Sequence, residues 1–343
     1  MFGHVADMNR SRLAVLSIVM AAAWFSLGRL WPVNCPEHYE SEASMVAALG
    51  RLWQTNGCSL EAFVLAKPSG EQDKALLALI TSGRQTSGSV MYNFYIFNRF
   101  SAIWRTYGKG GQSPIILEIG PGANLGQGLL LVASGAKKYT GLDLYEAPAL
   151  YNRYSYAAAY DLLNLVAPES IRVKADQIYS VKGEQVVFRP ERMEYQFPRE
   201  SYDIRMPDGS VDFVFSNSVF EHISDPDKTA MAIAKVLRRG GISAHNIDLR
   251  DHDDFSKPLE FLKTGEAVWR ARFTGETKFT YTNRKRLSDF VKATEQAGLK
   301  ILKVEPIMVP MSEEIRRGFH ADFQKYSLED LAVVRALIVA EKP

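Results

Sequence analysis

The sequence predicts an α/β fold of the doubly wound type, and three observations carry that reading. Ser113-Pro-Ile-Ile-Leu-Glu-Ile-Gly120 is a short apolar, β-branched run that stops at Gly120-Pro-Gly122. Leu125-Gly-Gln-Gly-Leu-Leu-Leu-Val132 then reads as a helix, and Lys138-Tyr-Thr-Gly-Leu-Asp-Leu144 as a second strand. Strand, glycine turn, helix and strand in that order let the backbone approach a ligand and aim a helix N-terminus at it. Asp143 follows the glycines by about 20 residues, where a carboxylate accepts hydrogen bonds from the ribose hydroxyls of a nucleoside.

Composition agrees with a globular body. The 343 residues are long enough to bury a core, and 46% hydrophobic with 23% charged residues excludes disordered, collagen-like and multi-span membrane chains. A formal charge of +2 gives no reason to expect nucleic acid as a partner. Two cysteines, Cys35 and Cys58, without a C-x-x-C pair, support neither a disulfide framework nor a structural zinc site.

Along the chain, residues 1–35 hold the longest apolar run, Leu13 to Gly28, between Arg12 and Arg29. As a helix it would span about 24 Å, short of the roughly 30 Å of hydrocarbon. Three readings stay open: an interfacial or core-packed helix, a membrane anchor through residues 13–31, or a chain start at Met20 or Met45. The expected location is cytoplasmic, with peripheral or single-helix membrane association through that run. Residues 36–110 read as a helical extension, with apolar residues at three- and four-residue spacing over Met45–Trp53, Glu71–Thr81 and Met91–Tyr107. Its aromatic series Tyr92, Phe94, Tyr95, Phe97, Phe100 and Trp104 suits either an acceptor pocket or a packed core face. Residues 111–343 form the main domain. Beyond the first unit, Asp225–Arg238 reads as a helix, Gly241–Ile247 as a fifth strand, Arg284–Gly298 as a helix, and Ile301–Val309 and Leu331–Ala340 as a closing strand pair. Residues 145–202 and 249–283 lie outside the minimal pattern and read as insertions beside the ligand crevice.

Four motifs in order then carry a resemblance: Leu117-Glu-Ile-Gly-Pro-Gly122, Gly141-Leu-Asp143, Met206-Pro-Asp-Gly-Ser-Val-Asp-Phe-Val-Phe-Ser-Asn217 and Val236-Leu-Arg-Arg-Gly-Gly241. Over Ser113 to Ile247 the chain resembles the class I S-adenosylmethionine-dependent methyltransferases of the type 11-like group. The resemblance implies a Rossmann-like, seven-stranded, mostly parallel sheet with helices on both faces, and S-adenosyl-L-methionine as cofactor. It implies cofactor contacts at Glu118, Gly120, Pro121, Gly122, Asp143, Leu144, Asp203, Asn217 and Ser218. Asn124 stands where the family's third glycine would be, with Gly126 two places on, and this leaves the path of the loop open. A dinucleotide oxidoreductase is the competing class, but its G-x-G-x-x-G is not met, because Leu125 occupies the third glycine position.

For the transfer itself, His222 in Phe220-Glu-His222 is a candidate base, since it follows the fourth strand. Some quinone-ring O-methyltransferases carry a metal-binding E-x-x-E-H at this place. Here Ser218 replaces the first Glu, so no metal is expected on that basis. A second cluster, His245-Asn-Ile-Asp-Leu-Arg-Asp-His-Asp-Asp254, supplies His245 and Asp248 as further catalytic candidates and Arg250, Asp251 and His252 as acceptor-binding ones. Asp and His at that density could also hold a divalent ion, as metal-dependent sugar O-methyltransferases do, or could simply pair with one another. This stretch, with Asp254-Phe-Ser-Lys-Pro-Leu-Glu-Phe-Leu262 and Tyr281-Thr-Asn-Arg-Lys-Arg-Leu-Ser-Asp289, resembles bacterial methyltransferases of polysaccharide or surface-glycan assembly. The expected reaction is O-methylation of a sugar or glycan-type acceptor. A lipophilic acceptor such as a quinone, and a non-catalytic cofactor-binding module, are the alternatives.

Overall fold

The computed structural model describes residues 90–109, 111, 113–147, 150, 153–166, 170–183, 185–273 and 281–343. The readings over residues 1–89, including the apolar run at 13–31, lie outside the described residues. No helix among the described residues is long and apolar enough to cross a membrane.

In chain order the elements are α1 (Val90–Tyr107), β1 (Ile115–Ile119), α2 (Gly126–Ala133), β2 (Lys138–Leu142), α3 (Arg153–Val166), β3 (Tyr179–Lys182), β4 (Gln185–Phe188) and β5 (Met193–Gln196). There follow β6 (Val211–Asn217), α4 (Pro226–Val236), β7 (Leu237–Asp248), α5 (Glu266–Ala271), α6 (Leu287–Gln296), β8 (Lys300–Met308), α7 (Glu313–Arg317), α8 (Leu328–Ala332) and β9 (Val333–Glu341). Seven strands make one sheet in the order β5-β2-β1-β6-β7-β9-β8, and β3 and β4 form a separate antiparallel pair. β6 runs parallel to β1 and to β7, whereas β9 is antiparallel to both β7 and β8. The expected mostly parallel sheet closed by a terminal strand pair is therefore present.

One expectation changes. Residues 145–202 are not all insertion, because β5 lies within them and forms an edge of the main sheet. Four residues with burial that does not alternate leave no period-two signal for a sequence reading to find.

The chain divides into two compact units, each with its own packing. In the first, α2 is buried along its whole length. The ring of Tyr156 packs edge-on against Phe188, while its hydroxyl accepts from Leu125 N (3.1 Å) and donates to Leu150 O (2.8 Å). Phe94, Phe97 and Phe100 of α1 are at most 1% exposed, so these three rings of the aromatic series are core, whereas Tyr95 is exposed. In the second unit, Leu117, Val214, Ile247, Phe290 and Ile338 build the main core. Residues 249–273 add a core of their own, where Phe261, Leu262 and Trp269 pack with Phe319, Phe323 and Leu331. The helix α4 starts where Asp225 accepts from Lys228 N (3.0 Å) and Pro226 takes the first turn.

The second unit buries a complete guanidinium. Arg286 is 0% exposed and donates to the carbonyls of Leu249 (3.2 Å), Leu331 (3.2 Å) and Val333. Burial lowers its pKa to about 10, with Asp330, Tyr326 and Asp289 opposing that shift, so the group remains charged. Buried carbonyls that lose their donor keep the full desolvation penalty. Arg286→Met should therefore destabilise the fold by about 3 kcal/mol, read from urea denaturation with an unchanged slope. A change under about 1 kcal/mol would mean that water satisfies those carbonyls in its place.

Candidate functional site

Parallel strands end at a common edge, and the turns that follow β1, β2 and β6 set out the first half of the site. Gly120 leaves β1 with φ +70° and donates its N–H to Leu142 O at 2.8 Å. A Cβ on Gly120 would fall 2.4 Å from Cγ2 of Val219, so glycine is required both by conformation and by space. Glu118 is 2% exposed on β1, opposite Phe215 of β6. Asp143 follows β2, where its N–H donates to Gln196 O (3.1 Å), its carbonyl accepts from Arg199 N (2.9 Å) and its carboxylate accepts from Tyr145 N (3.1 Å). Leu144 beside it is 40% exposed. Ser218 leaves β6 with φ +53° and donates its N–H to Asn246 O at 2.8 Å.

Within the first unit, Pro121 and Gly122 continue the loop to a buried Asn124. Its side-chain oxygen accepts from Gly126 N and from Asn93 Nδ2, both at 2.9 Å. A Cβ on Gly126 would lie 2.0 Å from Asn93 Nδ2. The departure from the usual glycine spacing thus has a local cause: Asn124 orders the loop with its side chain, and the glycine two places on makes room for Asn93.

Two expected cofactor residues have other partners. Asp203 is half-exposed and pairs with Arg199 (2.5 Å). Asn217 accepts from Asn246 Nδ2 (2.9 Å), across the β6–β7 register that sets the two residues opposite each other.

The second half of the site lies in the turn after β6 and the loop after β7. His222 is held by its Nδ1, 2.7 Å from the carbonyl oxygen of Tyr281. A carbonyl only accepts, so Nδ1 carries the proton and the lone pair of the neutral ring sits on Nε2. Burial lowers the His222 pKa, while the Tyr281 carbonyl and Asp248 oppose the shift. The His252 ring lies 5.0 Å away, centroid to centroid, with its pKa brought to about 4 by burial first and by His222 second. Both rings are neutral at pH 7. Glu221 is 2% exposed, and among the described residues neither carboxylate oxygen has a hydrogen-bond partner of normal geometry. Burial pushes its pKa well above the usual carboxylate range. One ligand atom each from Glu221, His222 and His252 lies within 4.8 Å of the others.

Asp248 and Arg250 frame this cluster. Asp248 accepts from Arg250 Nη2 (2.5 Å) and Nε (2.7 Å), and Arg335, opposite it in register on β9, comes to 3.3 Å. Burial would raise the Asp248 pKa, but the bonds and charge of Arg250, together with Arg335 and His252, bring it below its ordinary value. A carboxylate so paired fixes Arg250 and is a weak proton acceptor. Asp251 turns away from the cluster, its carboxylate accepting from Asp253 N (2.9 Å) and its own N–H donating to Pro258 O (2.8 Å). His245 is 4% exposed, bonds through Nδ1 to Ser216 Oγ (2.9 Å) and stacks 4.2 Å from Phe220. Burial takes its pKa to about 3, which is the placement of a packing residue.

Three participants carried no usable signal in the sequence. Asn283 donates from Nδ2 to Phe220 O (2.7 Å) and Ile223 O (2.9 Å) and from its N–H to Glu221 O (2.7 Å), which locks the turn. Tyr281 sets the tautomer of His222 through its backbone, and Arg335 reaches Asp248 only through strand register. Each is more than fifty residues from its partner in the chain.

Comparison with known proteins gives the family setting. A family model described as a methyltransferase domain matches residues 171–244, from ahead of β3 into β7. No curated protein matches the chain. Among solved structures, geranyl diphosphate C-methyltransferase from Streptomyces coelicolor A3(2), in complex with Mg2+, geranyl diphosphate and S-adenosyl-L-homocysteine, is 12% identical, covering 78% of this chain and 88% of that one at a TM-score of 0.43. Phosphoethanolamine N-methyltransferase 2 of Haemonchus contortus, in complex with S-adenosyl-L-methionine, is 17% identical, covering 76% of this chain and 58% of that one at a TM-score of 0.40. Likeness at that level leaves the acceptor open. Residues 171–244 therefore match a methyltransferase domain, and the strand order and the glycine turn after β1 agree with the Rossmann-like fold expected of one.

Proposed function

We propose that the chain transfers the methyl group of S-adenosylmethionine to a hydroxyl of a sugar or glycan-type acceptor. The observation that carries this reading is His222, a neutral imidazole whose Nδ1 is committed to the Tyr281 carbonyl and whose Nε2 lone pair is left for an acceptor. A hydroxyl must shed a proton to be methylated, and a fixed lone pair provides for that loss. The surroundings are polar, with His252, Asp248 and Arg250 at hand, and Phe255, 55% exposed under the Arg250 guanidinium, offers an aromatic face for the C–H face of a sugar ring. Of the aromatic residues of α1 that would have favoured a lipophilic pocket, Phe94, Phe97 and Phe100 are packed as core.

The cofactor brings a methyl group on a sulfonium, which departs by in-line displacement. Glu118, Gly120, Pro121, Gly122, Asp143 and Leu144 are the residues assigned to hold it, on the loops that follow β1 and β2. Ser218 and Asn217 stand at the end of β6, the place for the methionine portion. Asp203, bound to Arg199, contributes through that pair.

Asp143→Ala should weaken S-adenosylmethionine binding by about 2 kcal/mol, roughly thirtyfold in Kd, through the loss of two ribose hydrogen bonds to a charged acceptor. Calorimetric titration reads this directly, and an unchanged Kd removes the ribose assignment. His222→Ala should leave that Kd in place and lower turnover by about a hundredfold, measured as transfer of labelled methyl to a panel of sugars, nucleotide sugars and quinols. Labelling of quinols alone would overturn the sugar reading. Because burial holds the His222 pKa below 6.5, its neutral form persists through neutral pH and is lost as pH falls through the lowered value. The acid limb of the pH–rate profile should accordingly lie below pH 6.5, and a limb above that point would assign the activity to another group.

A further inference from the structure

We propose that Glu221, His222 and His252 form a binding site for one divalent transition-metal cation, with the acceptor hydroxyl as a further ligand. This rests on reading the cluster as the acceptor site. In the metal-free chain His222 Nε2 is the base named above, whereas with the cation bound Nε2 would be a ligand and the acceptor hydroxyl, acidified by the ion, would give its proton to solvent water.

Three observations point to the ion. The first is the buried carboxylate. Glu221 is 2% exposed, and among the described residues no side chain donates to its carboxylate; only the backbone N–H groups of Glu221 itself and of Asp248 approach it, while Asn283 engages the backbone around it. Buried carboxylates are paired, hydrogen-bonded or metal-bound, and the two cations nearest the cluster, Arg250 and Arg335, are already placed on Asp248.

The second is the orientation of His222. Metal-bound imidazoles regularly donate the other ring N–H to a carbonyl or carboxylate, which fixes the ring and keeps the ligating lone pair forward. The bond of 2.7 Å to Tyr281 O is an arrangement of that kind. The third is convergence, since the three side chains come from two separate segments and still bring one ligand atom each within 4.8 Å of the others. Two atoms each about 2.1 Å from an ion are at most about 4.2 Å apart, so the ligands must draw in by roughly half an ångström or more on binding. His252 sits on the loop beyond β7, between His222 and Phe255, where a turn of its ring supplies the movement.

The donor set selects the metal. Two imidazole nitrogens and one carboxylate suit Zn2+, Mn2+, Fe2+ or Co2+, whereas Ca2+ and Mg2+ take oxygen ligands. Three protein ligands leave a position open, as sites that act on substrates do. Asp248, occupied by two arginines, serves to keep Arg250 beside the site and is not a ligand.

The test is equilibrium dialysis of the full-length chain, stripped with chelator, against Zn2+, with Co2+ as a visible-absorption probe and S-adenosylmethionine titration in parallel. We expect one tight Zn2+ per chain, and a Co2+ spectrum of nitrogen and oxygen ligation. His252→Asn and Glu221→Gln should each weaken the metal by about tenfold or more while leaving the S-adenosylmethionine Kd unchanged. Equal metal binding by the parent and His252→Asn would overturn the site, because it would place the ion on other histidines or cysteines. Failure to bind Zn2+ by a chain that binds S-adenosylmethionine and still transfers methyl after chelation also overturns it, and leaves the methyltransferase reading standing. Loss of methyl transfer with Zn2+ bound would instead strike the reading of the acceptor site.

Discussion

Arg286 is charged, fully buried and spent on main-chain carbonyls at the end of β7 and at the start of β9. The six residues that end with it, 281–286, are a strap without helix or strand, and each contact of the strap fixes a different part of the site. Tyr281 orients His222, Asn283 ties down the turn from Phe220 to Ile223, and Arg284 binds Phe261 O, Thr264 O and Glu266. The strap makes few strand-ladder bonds of its own. Its position follows from guanidinium groups that replace the missing ladder by pairing buried carbonyls, which is why the histidine tautomer and the fold depend on the same segment.

The acids around the cleft divide by their partners. Asp248 pairs with two arginines and sits below its ordinary pKa, whereas Glu221 pairs with no arginine and, its burial outweighing the backbone N–H groups beside it, sits far above. Two carboxyls of like type thus acquire opposite protonation tendencies from their surroundings alone. An arginine on each would have given an inert pair of salt bridges. With both on Asp248, the site keeps a fixed anion that anchors Arg250 and a buried carboxyl whose charge depends on what arrives.

Sequence reading reached as far as local signals go. The β1 run, the glycine turn, α2, β2 and the closing strands were legible because each is a contiguous pattern of apolar period and breakers. β5 was not, since four residues of mixed burial at a sheet edge are specified by the neighbouring strand and not by their own sequence. In the site, His222 and His252 were visible as residue types at strand ends. His245 was equally visible, yet the structure packs it on Phe220 beneath the sheet surface. Residue type and strand parity did not separate the three histidines, because what distinguishes them is the loop that passes above each one. Asn283 and Arg335 were invisible for the same reason: their roles arise from register and from a strap sixty residues removed.

Backbone strain marks the same place by an independent route. Among the described residues, Ser218 and Arg284 are the non-glycine positions with φ clearly positive, +53° and +54°. Such a conformation costs about 1–3 kcal/mol and persists only where the surroundings over-determine it. Ser218 opens the turn that carries Glu221 and His222, and Arg284 lies in the strap that pins this turn, so the strain brackets the contact between His222 and Tyr281. At Ser218 the bond from its N–H to Asn246 O holds the bend, and at Arg284 three side-chain bonds do so. A relaxed chain would let β6 run on straight and carry His222 away from Tyr281. Holding the imidazole against its carbonyl, with the proton on Nδ1, is the consequence that gives this strain a purpose.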